Sequence, residues 1–205
     1  RDLSLTARKE GDASVKVRPQ FGELLRVVGA VDGIRRVRYV SPHPKDMNLE
    51  TLQAMAQVDA VCEHLHYPLQ SGSDRVLSLM HRGYTAEKYL ARLAEARALI
   101  PDLAVTTDII VGFPGETEED FQQTMDVAAQ AMFDSAYLFI FSPREGTAAA
   151  TMQDQFVDAE VAGDRYNRIK VVLDRTALIK HQERIGRVEE VIVEGVNKRD
   201  ENKMT

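Results

Sequence analysis

Asp108-Ile-Ile-Val-Gly-Phe-Pro-Gly-Glu-Thr-Glu-Glu-Asp-Phe121 is the stretch that decides the architecture of this chain. The apolar run Ile109–Val111 has the β-branching of a buried strand. It breaks at Gly112-Phe113-Pro114-Gly115 and is followed at once by the chemistry of a helix start. Thr117 can cap the helix, and Glu118, Glu119 and Asp120 put negative charge where the helix dipole favours it. Phe121, Met125, Ala128, Ala129 and Met132 then fall on one helical face. The unit is strand–loop–helix, with its glycine loop at the strand's carboxyl end, where parallel α/β proteins hold their ligands. A plain βα turn would use the same glycines for geometry alone, so the neighbouring elements carry the argument.

Upstream, residues 1–18 are polar and without periodicity, and read as a loop or a truncated beginning. Phe21, Leu24, Leu25 and Val28 form a helical stripe ended near Gly33. A short strand, 36–40, stops at Ser41-Pro42-His43-Pro44, because proline cannot join a ladder. Residues 49–57 read as helix, and 62–68 as a strand ending at Gln70-Ser71-Gly72-Ser73. A helix over 73–80 precedes the Arg82-Gly83 break, and Thr85 caps another that carries Tyr89, Leu93, Ala96 and Ile100. Strands follow at 104–111 and 136–141, the latter ending at Ser142-Pro143-Arg144-Glu145-Gly146-Thr147. A long amphipathic helix, about 159–185, is closed by Gly186, and Val188–Val193 reads as an isolated last strand. Alternating strands and helices predict a parallel sheet, adjacent in chain order, whose four polar loops (41–44, 70–73, 112–116, 142–147) converge on one rim. Loops on the opposite rim, such as Pro101-Asp102, are shorter and plainer, an asymmetry that points to an enzyme.

A chain of 205 residues can bury a full core. No apolar stretch approaches the roughly 20 residues of a membrane span, and no signal peptide opens the sequence, so a cytoplasmic setting is expected. Cys62 is the one cysteine, which excludes an internal disulfide and any self-contained thiolate metal site. The net charge of −6 argues against a globally basic nucleic-acid binder. It is uneven: residues 1–38 hold nine Arg or Lys against five acids, a net +4, and the remainder carries −10. That basic end is either a surface for phosphate or a solvated face on an acidic protein.

Cys62, His64 and His66 alternate on one strand face. Such spacing converges poorly on a tetrahedral metal, so a packed, hydrogen-bonded layer is the expectation. Paired carboxylates do not stand out, and Ser71 lacks a nucleophile-elbow context. The rim offers binding chemistry instead. Gln70 and Asp108 can bond paired hydroxyls, as on a ribose; Arg82 can make a two-pronged pair with a carboxylate; Gly112 would let a flat ring lie against strand backbone. Hydroxyls, carboxylate and aromatic ring together describe S-adenosylmethionine.

His64-Leu-His-Tyr-Pro-Leu-Gln-Ser-Gly-Ser-Asp74, Met80-His-Arg-Gly-Tyr-Thr85, the 108–121 segment and Phe141-Ser-Pro-Arg-Glu-Gly-Thr147 resemble the radical S-adenosylmethionine methylthiotransferases. Ser41-Pro-His-Pro-Lys-Asp46 and Asp154-Gln155 resemble the branch that modifies isopentenylated adenosine beside the tRNA anticodon. Departures fall at Glu145, where proline is usual, and at Phe156-Val157, in place of Val-Pro. The resemblance implies an α/β fold: a partial (βα) barrel of the radical-SAM type, of which residues 1–186 hold the last four of six βα units. Residues 187–205 would open a β-barrel RNA-binding (TRAM) module. It also implies a cofactor-binding set of Gln70, Ser71, Arg82, Asp108, Ile110, Gly112 and Phe141, with Gln70 and Asp108 at the ribose, Arg82 at the methionine carboxylate, and Ile110 and Phe141 flanking the adenine. No catalytic residue and no metal ligand would lie in this chain.

The implied cofactors are S-adenosylmethionine and two 4Fe-4S clusters, whose cysteines would belong to an earlier part of a longer protein. One reduced cluster cleaves the cofactor, the resulting radical removes the adenosine C2 hydrogen, the auxiliary cluster supplies sulfur, and a second S-adenosylmethionine donates the methyl group. The implied partners are tRNA and an electron donor such as flavodoxin or ferredoxin, with no membrane. Two alternatives stand beside this reading: the sibling enzyme that methylthiolates an aspartate of a ribosomal protein, and a non-catalytic, shortened module that binds S-adenosylmethionine or RNA.

Overall fold

The computed structural model describes residues 20–204, so the predicted loop over 1–18 and most of the basic stretch's first half lie outside the described residues. Its centre is a parallel three-stranded sheet, β1 (His64–His66), β2 (Ala104–Val111) and β3 (Ser135–Ile140), in chain order. His66 is in register with Thr106, Asp108 with Tyr137, and Ile110 with Phe139. Helices α1 (Phe21–Gly29) and α2 (Leu49–Gln57) precede the sheet; α3 (Asp74–Leu79) and α4 (Ala86–Leu99) connect β1 to β2, and α5 (Glu118–Ala131) connects β2 to β3. The long α6 (Ala159–Gln182) packs on β3, β2 and α5. Caps set the helix starts where the sequence placed them: Ser73, Thr85 and Asp158 each accept from a backbone N–H of the first turn, and Thr117 forms a reciprocal capping box with Asp120.

Strict alternation along β2 makes the two faces of the sheet different. Val105, Thr107, Ile109 and Val111 are buried against the helices with Leu65, Leu93, Phe121, Phe133 and Ile169. Thr106, Asp108 and Ile110 point the other way and are only half-buried. On β3 the corresponding residues, Tyr137 and Phe139, are exposed. The chemistry-bearing face is therefore the one that no helix covers.

Three sequence expectations change. The strand expected over 36–40 is a single parallel bridge, Val37 to Val61, because Ser41 takes a left-handed φ of +55° and Pro42 follows it. Val188–Val193 forms no strand; Val188 is fully exposed, the run is met by side chains, with Arg36 donating to Glu190 O at 3.0 Å, and a small antiparallel hairpin, β4 (Val196–Asn197) and β5 (Asp200–Met204), follows instead. On α5 the buried stripe is Phe121, Thr124, Val127, Ala128 and Ala131, so Ala129 faces solvent.

A candidate cofactor pocket at the carboxyl ends of the strands

Gln70 is brought to the rim by an irregular strand end. Pro68 interrupts the ladder after β1, and side chains take over the freed backbone groups. Thr107 Oγ1 donates to Tyr67 O and accepts from Leu69 N, both at 2.9 Å. Tyr89 donates to Tyr67 O at 2.6 Å, and Tyr84 to Leu69 O at 2.9 Å. Burial pushes the Tyr84 hydroxyl up to about 12, so it stays a donor at any ordinary pH. The strand line then returns to β2: Gln70 N donates to Asp108 O at 2.7 Å and Gln70 O accepts from Ile110 N at 2.9 Å. Between those two bonds Gln70 holds a φ of +66°, a strained value for a residue with a side chain, and its amide is turned inward.

The loop after β2 is fixed from below. Glu116, whose side chain is wholly buried, accepts from Gly112 N at 2.7 Å and from Arg165 of α6 at 2.9 Å. Burial raises its carboxyl pKa against the pull of those two donors. Glu116 is therefore a clamp between the glycine loop and α6, where the sequence offered only a helix-start acid. Asp120 does the same for the loop after β1. It accepts from Ser73 Oγ at 2.6 Å, Thr117 N at 2.8 Å and Arg75, and these donors overcome burial to hold its carboxyl well below the usual range. Gln155 meets the loop after β2, its O accepting from Gly115 N at 2.8 Å.

Beside these clamped loops an open cavity of about 610 Å³ lies at the carboxyl ends of β1, β2 and β3. Five of the seven predicted residues line it: Gln70, Arg82, Asp108, Ile110 and Phe141. Arg82 Nη2 donates to Gln70 Oε1 at 2.9 Å, while the Arg82 Nε–H is buried without a partner. Phe141 meets Phe113 edge-on, ring centroids 5.3 Å apart, so an aromatic corner faces the arginine and the carboxylate. Arg144, Phe113 and Phe139 also line the cavity, and sequence reasoning did not assign them to it.

Two predicted residues are not brought to the cavity. The Ser71 hydroxyl is fully buried and pairs with Thr124 Oγ1 at 3.2 Å, tying the loop to α5. Gly112 is needed for a different reason than a ligand ring. Its φ is +72°, and a Cβ there would lie 2.9 Å from the Ala162 Cβ of α6. Of the four rim loops, 41–44 stands behind the others: His43 packs edge-on to Tyr84 at 5.7 Å, and burial together with the nearby Arg82 charge lowers its pKa.

On the open sheet face, His64 and His66 belong to a hydrogen-bonded layer with Thr106 and Asp108. Cys62 is a free, half-buried thiol, and among the described residues no group of three His, Cys, Asp or Glu could hold a metal.

The model of the radical SAM superfamily matches residues 11–128. Curated proteins match more of the chain. The tRNA-2-methylthio-N(6)-dimethylallyladenosine synthase of Thermoanaerobacter sp. (strain X514) is 49% identical over 185 residues, covering 90% of this chain and 39% of that protein. The protein of the same name from Mycobacterium sp. (strain MCS) is 51% identical over 176 residues, covering 86% and 33%. The chain thus spans between a third and two fifths of the length of these relatives. Among solved structures, the coproporphyrinogen III oxidase of Escherichia coli, described as a radical SAM enzyme, superposes with a TM-score of 0.61 at 18% identity, over 77% of this chain and 37% of that one. This likeness is one of fold.

Proposed function

The chain belongs to the radical SAM superfamily, and from that premise we propose that it is the S-adenosylmethionine-holding portion of a tRNA methylthiotransferase acting at C2 of isopentenylated adenosine beside the anticodon. The observation that carries the reading is the donor set of the cavity. Its volume of about 610 Å³ lies within the roughly 300–1,000 Å³ of small-molecule sites. Asp108 offers an acceptor for ribose hydroxyls, and the orphaned Nε–H of Arg82 is a donor in want of an anion such as the methionine carboxylate. Phe141, Phe113 and Ile110 supply an apolar wall for the adenine. S-adenosylmethionine, when bound, supplies both the methyl group and the route to a radical. This chain's residues bind and orient it, and the wall of aromatic rings excludes water from the reacting end.

The iron–sulfur clusters do not fit the residues present, since Cys62 is the one thiol and stands before β1, at the opposite end from the cavity. Their ligands belong, in this reading, to portions of a longer protein that the relatives' greater length accommodates. The described sheet is then the later part of a six-unit partial barrel, and the hairpin β4–β5 belongs to the opening of an RNA-binding module. The partners are tRNA and a small electron-transfer protein of the flavodoxin or ferredoxin kind. No helix of the described residues is long and apolar enough to cross a membrane.

The test is made on the full-length protein reconstituted with iron and sulfide under a strong reductant. Given S-adenosylmethionine and isopentenylated tRNA, the nucleoside pool should gain the methylthio derivative by mass spectrometry. Modification of a ribosomal protein in place of tRNA would transfer the reading to the sibling enzyme. Failure to bind S-adenosylmethionine at all would end it.

A further inference from the structure

The open face of the sheet carries a line of polar side chains that the binding reading uses only at its last member. Arg38 Nε lies 3.3 Å from His64 Nδ1, and His64 Nε2 lies 3.2 Å from Thr106 Oγ1. Thr106 Oγ1 is 2.8 Å from His66 Nδ1, and His66 Nε2 is 3.2 Å from Asp108 Oδ2. His66 is buried, and Tyr137, the register partner of Asp108, stands edge-on to its ring at 6.1 Å. Among the described residues, Oδ1 of Asp108 has no partner, and Asp108 lines the cavity.

The protons along this line can be assigned. A carboxylate only accepts, so His66 Nε2 must carry a proton. In a singly protonated ring the lone pair is then at Nδ1, and the Thr106 hydroxyl donates to it. With that proton committed, Thr106 Oγ1 can only accept from His64, which places the His64 proton on Nε2. Nδ1 of His64 is left to accept from Arg38 Nε–H. The Arg38 Nη2 atom, 3.2 Å from His64 Nε2, then makes a contact between two donors and no bond. Burial, reinforced by Arg38, lowers the pKa of His64 and keeps that ring neutral. In this order every bond points one way, toward Asp108.

We propose that His66 is a positioning residue for the cofactor's ribose: held by Thr106 as its Nε2–H tautomer, it anchors Asp108 through Oδ2 and leaves Oδ1 free to accept from a ribose hydroxyl. An unanchored carboxylate on a half-buried strand position would have to be ordered at each binding event, and His66 removes that cost in advance. The inference rests on the S-adenosylmethionine reading of the cavity, and its test separates the two.

In the full-length protein, binding of S-adenosylmethionine is measured by calorimetry for the wild type, His66→Leu and His66→Gln. Loss of one hydrogen bond to a charged group predicts a roughly tenfold weaker dissociation constant for His66→Leu. His66→Gln, whose Nε2 amide can still donate to Asp108, should stay within about threefold of wild type by the same arithmetic. A cofactor analogue lacking a ribose hydroxyl should weaken wild-type binding but add little to the loss in His66→Leu, because both changes remove one interaction. Nitrogen NMR of the cofactor-free protein should show His66 with a protonated Nε2 and a lone pair on Nδ1. Wild-type affinity in His66→Leu, additive losses with the analogue, or a Nδ1–H tautomer would overturn the proposal. A wild type that binds no S-adenosylmethionine would instead overturn the cavity reading, and the tautomer measurement would still decide the state of His66.

Discussion

Replacing Glu116 by alanine tests how the glycine loop is held. The Glu116 side chain has no exposure and that of its partner Arg165 only 6%, with the carboxylate 2.9 Å from Nη1. The same oxygen accepts from Gly112 N at 2.7 Å. Removing the carboxylate leaves a buried guanidinium whose nearest remaining acid is Glu118, 3.5 Å away at the solvent edge. Breaking a buried pair from one side costs about 3–5 kcal/mol, and the residual contact with Glu118 places Glu116→Ala near the lower figure, about 3 kcal/mol. For a domain of this size that corresponds to a fall of roughly 6–12 °C in the unfolding midpoint. Glu118→Ala, at a side chain 52% exposed, should cost less than about 1 kcal/mol. The double variant Glu116→Gln with Arg165→Met should recover much of the loss, since the amide can still accept from Gly112 and no lone charge stays buried. Calorimetric and urea unfolding of these proteins, together with Glu116→Gln and Arg165→Met alone, would measure these differences. Equal costs for Glu116→Ala and Glu118→Ala, or strict additivity in the double variant, would refute the clamp.

Arg82→Ala in the full-length protein should weaken S-adenosylmethionine binding by roughly 10- to 150-fold, the worth of one hydrogen bond to a charged group. The control Arg92→Ala, on α4 and paired with Glu95, should change it little; equal small effects would return Arg82 to a packing role. Because Asp120 is held below its ordinary value of 3.8, the native state binds that proton less readily than the unfolded chain. Its contribution is present above about pH 4 and lost as pH falls toward the depressed native value, so Asp120→Asn should flatten the acid limb of the stability profile. An unchanged acid limb in that variant would contradict the assignment. The 205-residue chain expressed by itself should self-associate, since Tyr137, Phe139 and Ile140 are exposed and the 36–40 segment pairs only through the Val37–Val61 bridge. It should also carry no iron–sulfur chromophore; a monodisperse monomer in light scattering, or a brown protein, would count against these two expectations respectively.

Local signals were legible because their physics is local. Thr117 and Asp120 cap α5, Thr85 caps α4, the β-branched run becomes β2 and the aromatic-rich run β3, all from interactions spanning a few residues. The parallel order and the shared rim followed from alternation, and five of seven named residues meet in one cavity. The strand expected at 36–40 stops at one bridge because the left-handed Ser41 and then Pro42 turn the chain away. The last apolar run, Val188–Val193, has no strand beside it among the described residues.

By itself the sequence determined the order of elements, their caps, the breaks at Gly112 and Pro42, and the presence of a single thiol. Those depend on dihedral preferences and on pairs close in the chain. The tertiary structure alone decided which face each polar residue serves. Ser71 turns into the packing with Thr124 while its neighbour Gln70 turns into the cavity, although both stand in one rim loop. Gly112 answers to Ala162 of a helix fifty residues on, and Glu116 to Arg165 of the same helix. His66, Thr106 and Asp108 form one directed line only because β1 and β2 are aligned in register. Register and burial are set by the whole core at once, and a side chain's partner across 40 residues of sequence is fixed by that packing rather than by its own chemistry.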